Sequence, residues 1–169
     1  MRKIVLPVVL LITLVLLGVP MARSSSPLPP YPSSKRTVRP DADERQKALE
    51  IYQLTKKEHR NLHWDACLGR KAFLRAKQLV IRGYFEHKDP RTGENPAWEM
   101  VSHCFSCRSP GENLASAGEN LVKGMDTPEN IHKALMSSPT HRKNILDPRF
   151  ERIGVGCYDY ICVELFAGF

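Results

Sequence analysis

Apolar residues recur at spacings of four, four and three along Leu68, Ala72, Ala76 and Leu79, which predicts an amphipathic helix. Trp64-Asp65 supplies its start and Gly83 its stop, since glycine accepts the left-handed backbone that ends many helices. Upstream, Asp41-Ala42-Asp43-Glu44 reads as a capping box opening a helix that runs through Leu49, Tyr52 and Leu54. Thr127-Pro128-Glu129 is a third helix start: Thr caps, Pro suits the first turn and Glu complements the dipole. That helix carries Ile131, Ala134 and Leu135, and Pro139 stops it. After Phe150 the texture changes. The runs Ile153–Cys157 and Tyr160–Phe166 flank Tyr158-Asp159 and predict a terminal hairpin. Between 84 and 126 there is little periodicity and much Gly, Pro, Asn and Ser, so only short strands are expected. Helices first and a hairpin last, without βαβ alternation, make an α+β fold over residues 41–169.

The first 40 residues follow different rules. Arg2 and Lys3 precede an uncharged run from Ile4 to Val19, and residues 1–22 read as an export segment. A cleaved signal fits its flanks, with Ala22 as the last residue, although Pro20 matches a small-x-small site poorly. A retained membrane anchor fits its length, because residues 4–22 just suffice to span a bilayer. Both readings leave the remaining chain outside the cytoplasm, secreted or tethered to the membrane. Residues 23–40, with five Pro and five Ser, read as a disordered linker: a spacer, or a leader without a role.

The formal charge of +7 sits mostly in these 40 residues: +2 in 1–22, +4 in 23–40 and only +1 in 41–169. A globule so near neutrality offers no electrostatic footprint for a phosphate backbone, so nucleic acid is excluded as the expected partner.

Gly-Glu-Asn occurs three times, at 93–95, 111–113 and 118–120. Turn composition alone accounts for one such triplet, but the third has a specific setting. Gly83-Tyr84-Phe85-Glu86-His87-Lys88-Asp89-Pro90 lies upstream of Ala117-Gly118-Glu119-Asn120-Leu121. Downstream come the Thr127-Pro128-Glu129 start, then Ser138-Pro139-Thr140-His141-Arg142-Lys143-Asn144-Ile145-Leu146, then Ile153-Gly154-Val155-Gly156. In this order and spacing the motifs resemble the CAP superfamily (cysteine-rich secretory protein, antigen 5 and pathogenesis-related 1), most closely its bacterial SCP-like type. The resemblance covers roughly residues 45–169. It implies a three-layer α-β-α sandwich of CAP type, consistent with the α+β reading.

The resemblance also implies a cleft. His87 corresponds to the family's first His, Glu119 to the Glu of the Gly-Glu-Asn motif and His141 to the second His. The second acidic position of many animal members falls at Ser138, and Leu135 stands where their Trp is usual. A single carboxylate weakens paired acid/base chemistry, which needs two carboxyls held at different acidities. Two neutral imidazoles beside a carboxylate suit Zn²⁺ or another divalent metal, with His87 and His141 as ligands. Alternatively, Glu119 anchors a loop by accepting backbone N–H bonds, and Asn120 and Asn144 read as loop staples. His59, His63, His103 and His132 follow no pattern and read as surface residues.

Five cysteines, at 67, 104, 107, 157 and 162, leave pairing open. Cys157 and Cys162 flank the hairpin turn and are the first candidate bridge. Cys104 and Cys107 are further disulfide candidates, or join Cys157 and Cys162 in a four-thiolate zinc site; free thiols are the third option. Cys67, on the striped helix, reads as a buried free thiol.

Three functions of different class are compatible with these features. The favoured one is a non-enzymatic extracellular binding module for lipid, glycan or protein. The alternative is a metal-assisted hydrolase of peptide or cell-wall material, and the third an architectural domain with a vestigial cleft. No nucleophile with its base stands out, which favours binding over catalysis.

Overall fold

The computed structural model describes residues 39–105 and 113–169. The segment 1–22 read as an export signal or anchor, the expected linker as far as residue 38, Cys107 and two residues of the second Gly-Glu-Asn triplet lie outside them.

The first helix, α1 (Ala42–Glu58), opens on the expected capping box: Glu44 N donates to Asp41 Oδ1 at 2.8 Å and Asp41 N to Glu44 Oε2 at 2.9 Å. Its core face is Ala48, Ile51 and Thr55, while Leu49 is left 43% exposed. After the two-residue strand β1 (His63–Trp64), α2 (Ala66–Arg82) begins at Asp65, whose carboxylate accepts from Cys67 N and Leu68 N. It ends at Gly83, left-handed at φ 68°. The predicted stripe Leu68, Ala72, Ala76 and Leu79 is buried.

The stretch from 84 to 126 holds more than the short strands expected. It contains α3 (Pro96–Phe105) and the eight-residue strand β2 (Ser116–Lys123). The α3 helix starts where Asn95 Oδ1 accepts from Ala97 N at 3.0 Å, and it buries Ala97, Val101, Cys104 and Phe105. That spacing is helical; the turn-rich residues before it disguised a cap as a loop. Thr127 caps α4 (Pro128–Ser137) as predicted. Pro139 then starts α5 (Pro139–Ile145) rather than only ending α4.

The terminal hairpin joins β3 (Arg152–Tyr158) and β4 (Ile161–Gly168) through Asp159, at φ 53°. Sheet order is β1-β3-β4-β2, with β1 parallel to β3 and the other pairs antiparallel. Helices α2 and α3 cover one face with Leu121, Val163 and Leu165. The other face packs Ile153, Val155 and Phe166 against α1, α4 and α5 residues such as Ile51, Ile131 and Ile145. This is the three-layer α-β-α sandwich. Covered on both faces, β4 is buried at every residue, which is why its sequence runs apolar without alternating. Gly154 and Gly156 turn toward α2, where an added Cβ would collide with the backbone of Gly69 and Phe73. The Ile-Gly-Val-Gly motif thus lets a helix lie close on the sheet.

Cys157 and Cys162 face each other across the hairpin and form the expected disulfide. Cys104 too is in a disulfide, as expected, but the readings of Cys67 and of the four-thiolate site are corrected. Cys67 is not a free thiol: it is bonded to Cys104, with Cα atoms 5.7 Å apart. With Cys104, Cys157 and Cys162 all in disulfides, neither the four-thiolate zinc site nor a Cys104–Cys107 bridge forms. The physical reason is α3, whose packing on α2 carries Cys104 to Cys67.

Candidate binding site at strand β2

Strand β2 is an edge strand, paired only with β4 among the described residues, and alternation along it sends consecutive side chains to opposite faces. Glu119 stands opposite Leu165 on the α2 face, and Asn120 opposite Glu164 on the α1, α4 and α5 face.

Both oxygens of the buried Glu119 carboxylate are engaged. Oε1 accepts from Arg75 Nε at 2.9 Å, and Oε2 lies 2.8 Å from His87 Nδ1. Ionised Glu119 can only accept, so His87 carries its hydrogen on Nδ1. Its Nε2 lone pair then points away from Glu119, on a side chain 49% exposed. Arg75 is fully buried and uses all five of its donors. Besides Glu119 they reach Gln78 Oε1, Tyr84 Oη, and the carbonyls of Glu86 and His87 at 2.8 and 3.1 Å. One guanidinium therefore neutralises Glu119 and holds the backbone that carries His87. The next turn is pinned by buried Asp89, which pairs with Arg82 and accepts from Arg91 N at 2.9 Å. That backbone bond, with the Arg82 and Arg91 charges, outweighs burial and lowers the Asp89 pKa.

On the other face, Asn120 Nδ2 donates to Glu164 Oε2 at 2.9 Å and to the His141 carbonyl at 3.2 Å. Asn144 Nδ2 donates to Asn120 Oδ1 at 2.9 Å and to the Glu119 carbonyl at 3.2 Å. The two asparagines therefore fasten α5 to the sheet edge, joining a helix to a strand rather than stapling loops. His141 is partly buried, and burial first, then the charge of His87, lowers its pKa. The His87 imidazole is thus close enough for its charge to be felt at His141.

His87, Glu119 and His141 gather around β2. The Ser138 hydroxyl bonds Thr140 Oγ1 at 3.2 Å rather than either histidine or Glu119. Glu119 is no backbone-amide anchor, because its oxygens accept from side chains. His63 and His103 are exposed as expected, but His59 is half-buried and the His132 side chain only 12% exposed. His132 is therefore no surface residue: it sits 3.5 Å from Thr55 Oγ1.

As for a metal, no three His, Cys, Asp or Glu side chains among the described residues are arranged to hold an ion. With Glu119 buried behind Arg75 and His87, the donors open to an ion are two imidazoles, fewer than the three protein ligands usual for catalytic zinc. Sequence reasoning missed Arg75 and Glu164. The signal for Arg75 was a cation on the buried side of the α2 stripe, between Ala72 and Leu79; for Glu164, an acid inside an apolar strand.

A three-layer sandwich with Glu119 on its edge strand, His87 bonded to it from a loop and His141 nearby on α5 defines the class of protein. The model of the cysteine-rich secretory protein family (CAP) matches residues 37–162, and the chain belongs to that family. It is 36% identical over 112 residues to the uncharacterised protein YkwD of Bacillus subtilis strain 168, covering 63% of this chain and 40% of YkwD. The chain thus spans less than half the length of that relative. An extracellular SCP-domain protein from Bacillus anthracis str. Ames superposes with TM-score 0.63 at 23% identity, over 78% of this chain and 45% of that one. An outer surface protein of Borrelia burgdorferi superposes with TM-score 0.55 at 21% identity, over 78% of this chain and 96% of the other. These two likenesses establish the fold.

Proposed function

We propose that this chain is an exported, non-enzymatic binding module that engages an extracellular lipid, glycan or protein through His87 and His141. The observation that carries the reading is the burial of Glu119 between Arg75 and His87. A carboxylate only 3% exposed, neutralised by Arg75 and bonded to His87, is a poor general base and is closed off from an ion in solvent. What it does well is orient His87, leaving an exposed Nε2 acceptor for a ligand's hydroxyl or N–H group. Export is supported by the signal-like residues 1–22, by two disulfides, and by the extracellular and outer-surface descriptions of the two structural relatives.

A divalent ion fits this site only as a weakly held guest. His87 Nε2 and the His141 ring are the atoms that would hold it, with Glu119 as the outer partner that orients one imidazole. When bound, such an ion supplies a positive centre for an anionic group of the ligand.

The test is affinity capture from the protein's native medium, with mass spectrometry of bound lipids, glycans, proteins and metals. The control is a His87→Ala/His141→Ala double variant. The reading expects a species retained by the wild type and lost by the variant. Turnover of peptide or cell-wall substrate by the wild type, abolished in the variant, would instead establish the hydrolase. Zinc calorimetry at pH 7.5 on the same pair decides whether the histidines take the ion.

A further inference from the structure

Glu164 is a buried carboxyl in β4, 2% exposed, which the Glu119–His87 arrangement does not use. It lies on the sheet face covered by α1, α4 and α5. Its Oε1 accepts from Thr55 Oγ1 at 2.8 Å and its Oε2 from Asn120 Nδ2 at 2.9 Å. Asn120, itself 1% exposed, stands between Glu164 and the His141 carbonyl. Two backbone carbonyls, which can only accept, fix the amide orientations: Glu119 O receives Asn144 Nδ2, and His141 O receives Asn120 Nδ2. The second N–H of Asn120 then faces the interior, where it needs an acceptor or stays buried and unpaired. Glu164 Oε2 is that acceptor.

We propose that Glu164 is the positioning residue for His141. Through Asn120 it holds the His141 carbonyl, and so the start of α5, against the edge of β2. The inference rests on reading His141 as part of the binding site, but its geometry does not require any ligand.

The arrangement works in either state of the carboxyl. Ionised, Glu164 accepts from both neighbours. Protonated on Oε1, it donates to Thr55 Oγ1, whose own hydrogen can turn toward His132 Nδ1 at 3.5 Å. Oε2 accepts from Asn120 in both cases. The groups facing Glu164 are Thr55 from α1, Asn120 from β2 and, beyond Thr55, His132 from α4 with Glu58 3.7 Å from its Nε2.

The experiment compares Glu164→Gln with Glu164→Met in the metal-free, ligand-free protein by NMR. Gln keeps an acceptor toward Asn120 and a donor toward Thr55; Met fills similar space without an acceptor. The expected result is that Glu164→Met displaces the His141 ring and Asn144 side-chain resonances and leaves His87 in place. Glu164→Gln should restore the wild-type positions. A His141 signal unmoved by Met, or moved as far by Gln as by Met, would overturn the proposal. Should Glu164→Met fail to fold, the wild type still decides. Its Asn120 side-chain amide should exchange about tenfold or more slowly than a free amide, and exchange at the free rate would overturn the proposal. Neither measurement uses zinc or ligand, so a site that binds nothing counts against the proposed function alone.

Discussion

Glu119 and Asn120 are chain neighbours whose side chains leave opposite faces of one edge strand. Glu119 goes to His87 Nδ1 at 2.8 Å and Asn120 to the His141 carbonyl at 3.2 Å. A two-residue period lets a Glu-Asn step hold one histidine from each face. Register with β4 is therefore part of the site, since a one-residue slip would exchange the two faces.

Buried charge makes Glu119 a stability residue as well. Glu119→Gln leaves the Arg75 guanidinium buried without its counter-ion, which costs about 3–5 kcal/mol. Urea denaturation should show that loss. Equal stability of wild type and Glu119→Gln would show that the pair is not coupled.

Two histidines make folding sensitive to mild acid. Burial is the leading cause that lowers the pKa of both His141 and His132 below the ordinary 6.5. The unfolded chain therefore takes up these protons first, and stability declines as pH falls from about 6.5 through the folded-state values. Glu164, raised by burial, has the opposite sign: its contribution is present below the ordinary 4.5 and is lost as pH rises through its folded value. A Glu164→Gln background removes that opposing carboxyl. Denaturation profiles in this background should fall between pH 7 and 5, and adding His132→Gln should flatten them. An unchanged slope refutes the assignment.

The two bridges differ in reach. Cys67–Cys104 spans 37 residues and Cys157–Cys162 only 5, so chain entropy assigns them about 4 and about 2 kcal/mol. Paired Ser substitutions should rank in that order by urea midpoint. Non-reducing peptide maps should link the same cysteines; a Cys104–Cys107 peptide would contradict the fold around α3.

Close packing predicts a severe effect from one methyl group. Gly156→Ala places a Cβ against the Phe73 backbone, which cannot move without shifting α2, and should cost about 3 kcal/mol. Gly93→Ala is limited to strain at its positive φ of 74°, because no atom lies within 4 Å of its Cβ. Thermal denaturation of the two variants separates collision from backbone strain, and equal melting points would argue against the close approach.

What the sequence determined by itself was local. The capping box at Asp41, the Asp65 and Gly83 ends of α2, the Thr127 cap and the Cys157–Cys162 hairpin all depend on residues within a few positions of one another. Such short-range patterns survive in one dimension. The motif order also placed His87, Glu119 and His141 together through the family resemblance, which spacing alone could not do. Only the tertiary structure decided the rest. Cys67 meets Cys104 because α3 lies on α2, and α3 went unread because its Asn95 cap resembled a turn. Arg75 and Glu164 are buried ionisable residues that find partners 44 residues away in Glu119 and Asn120. Propensity assigns such residues to the surface, and only a partner contributed by another element makes their burial stable.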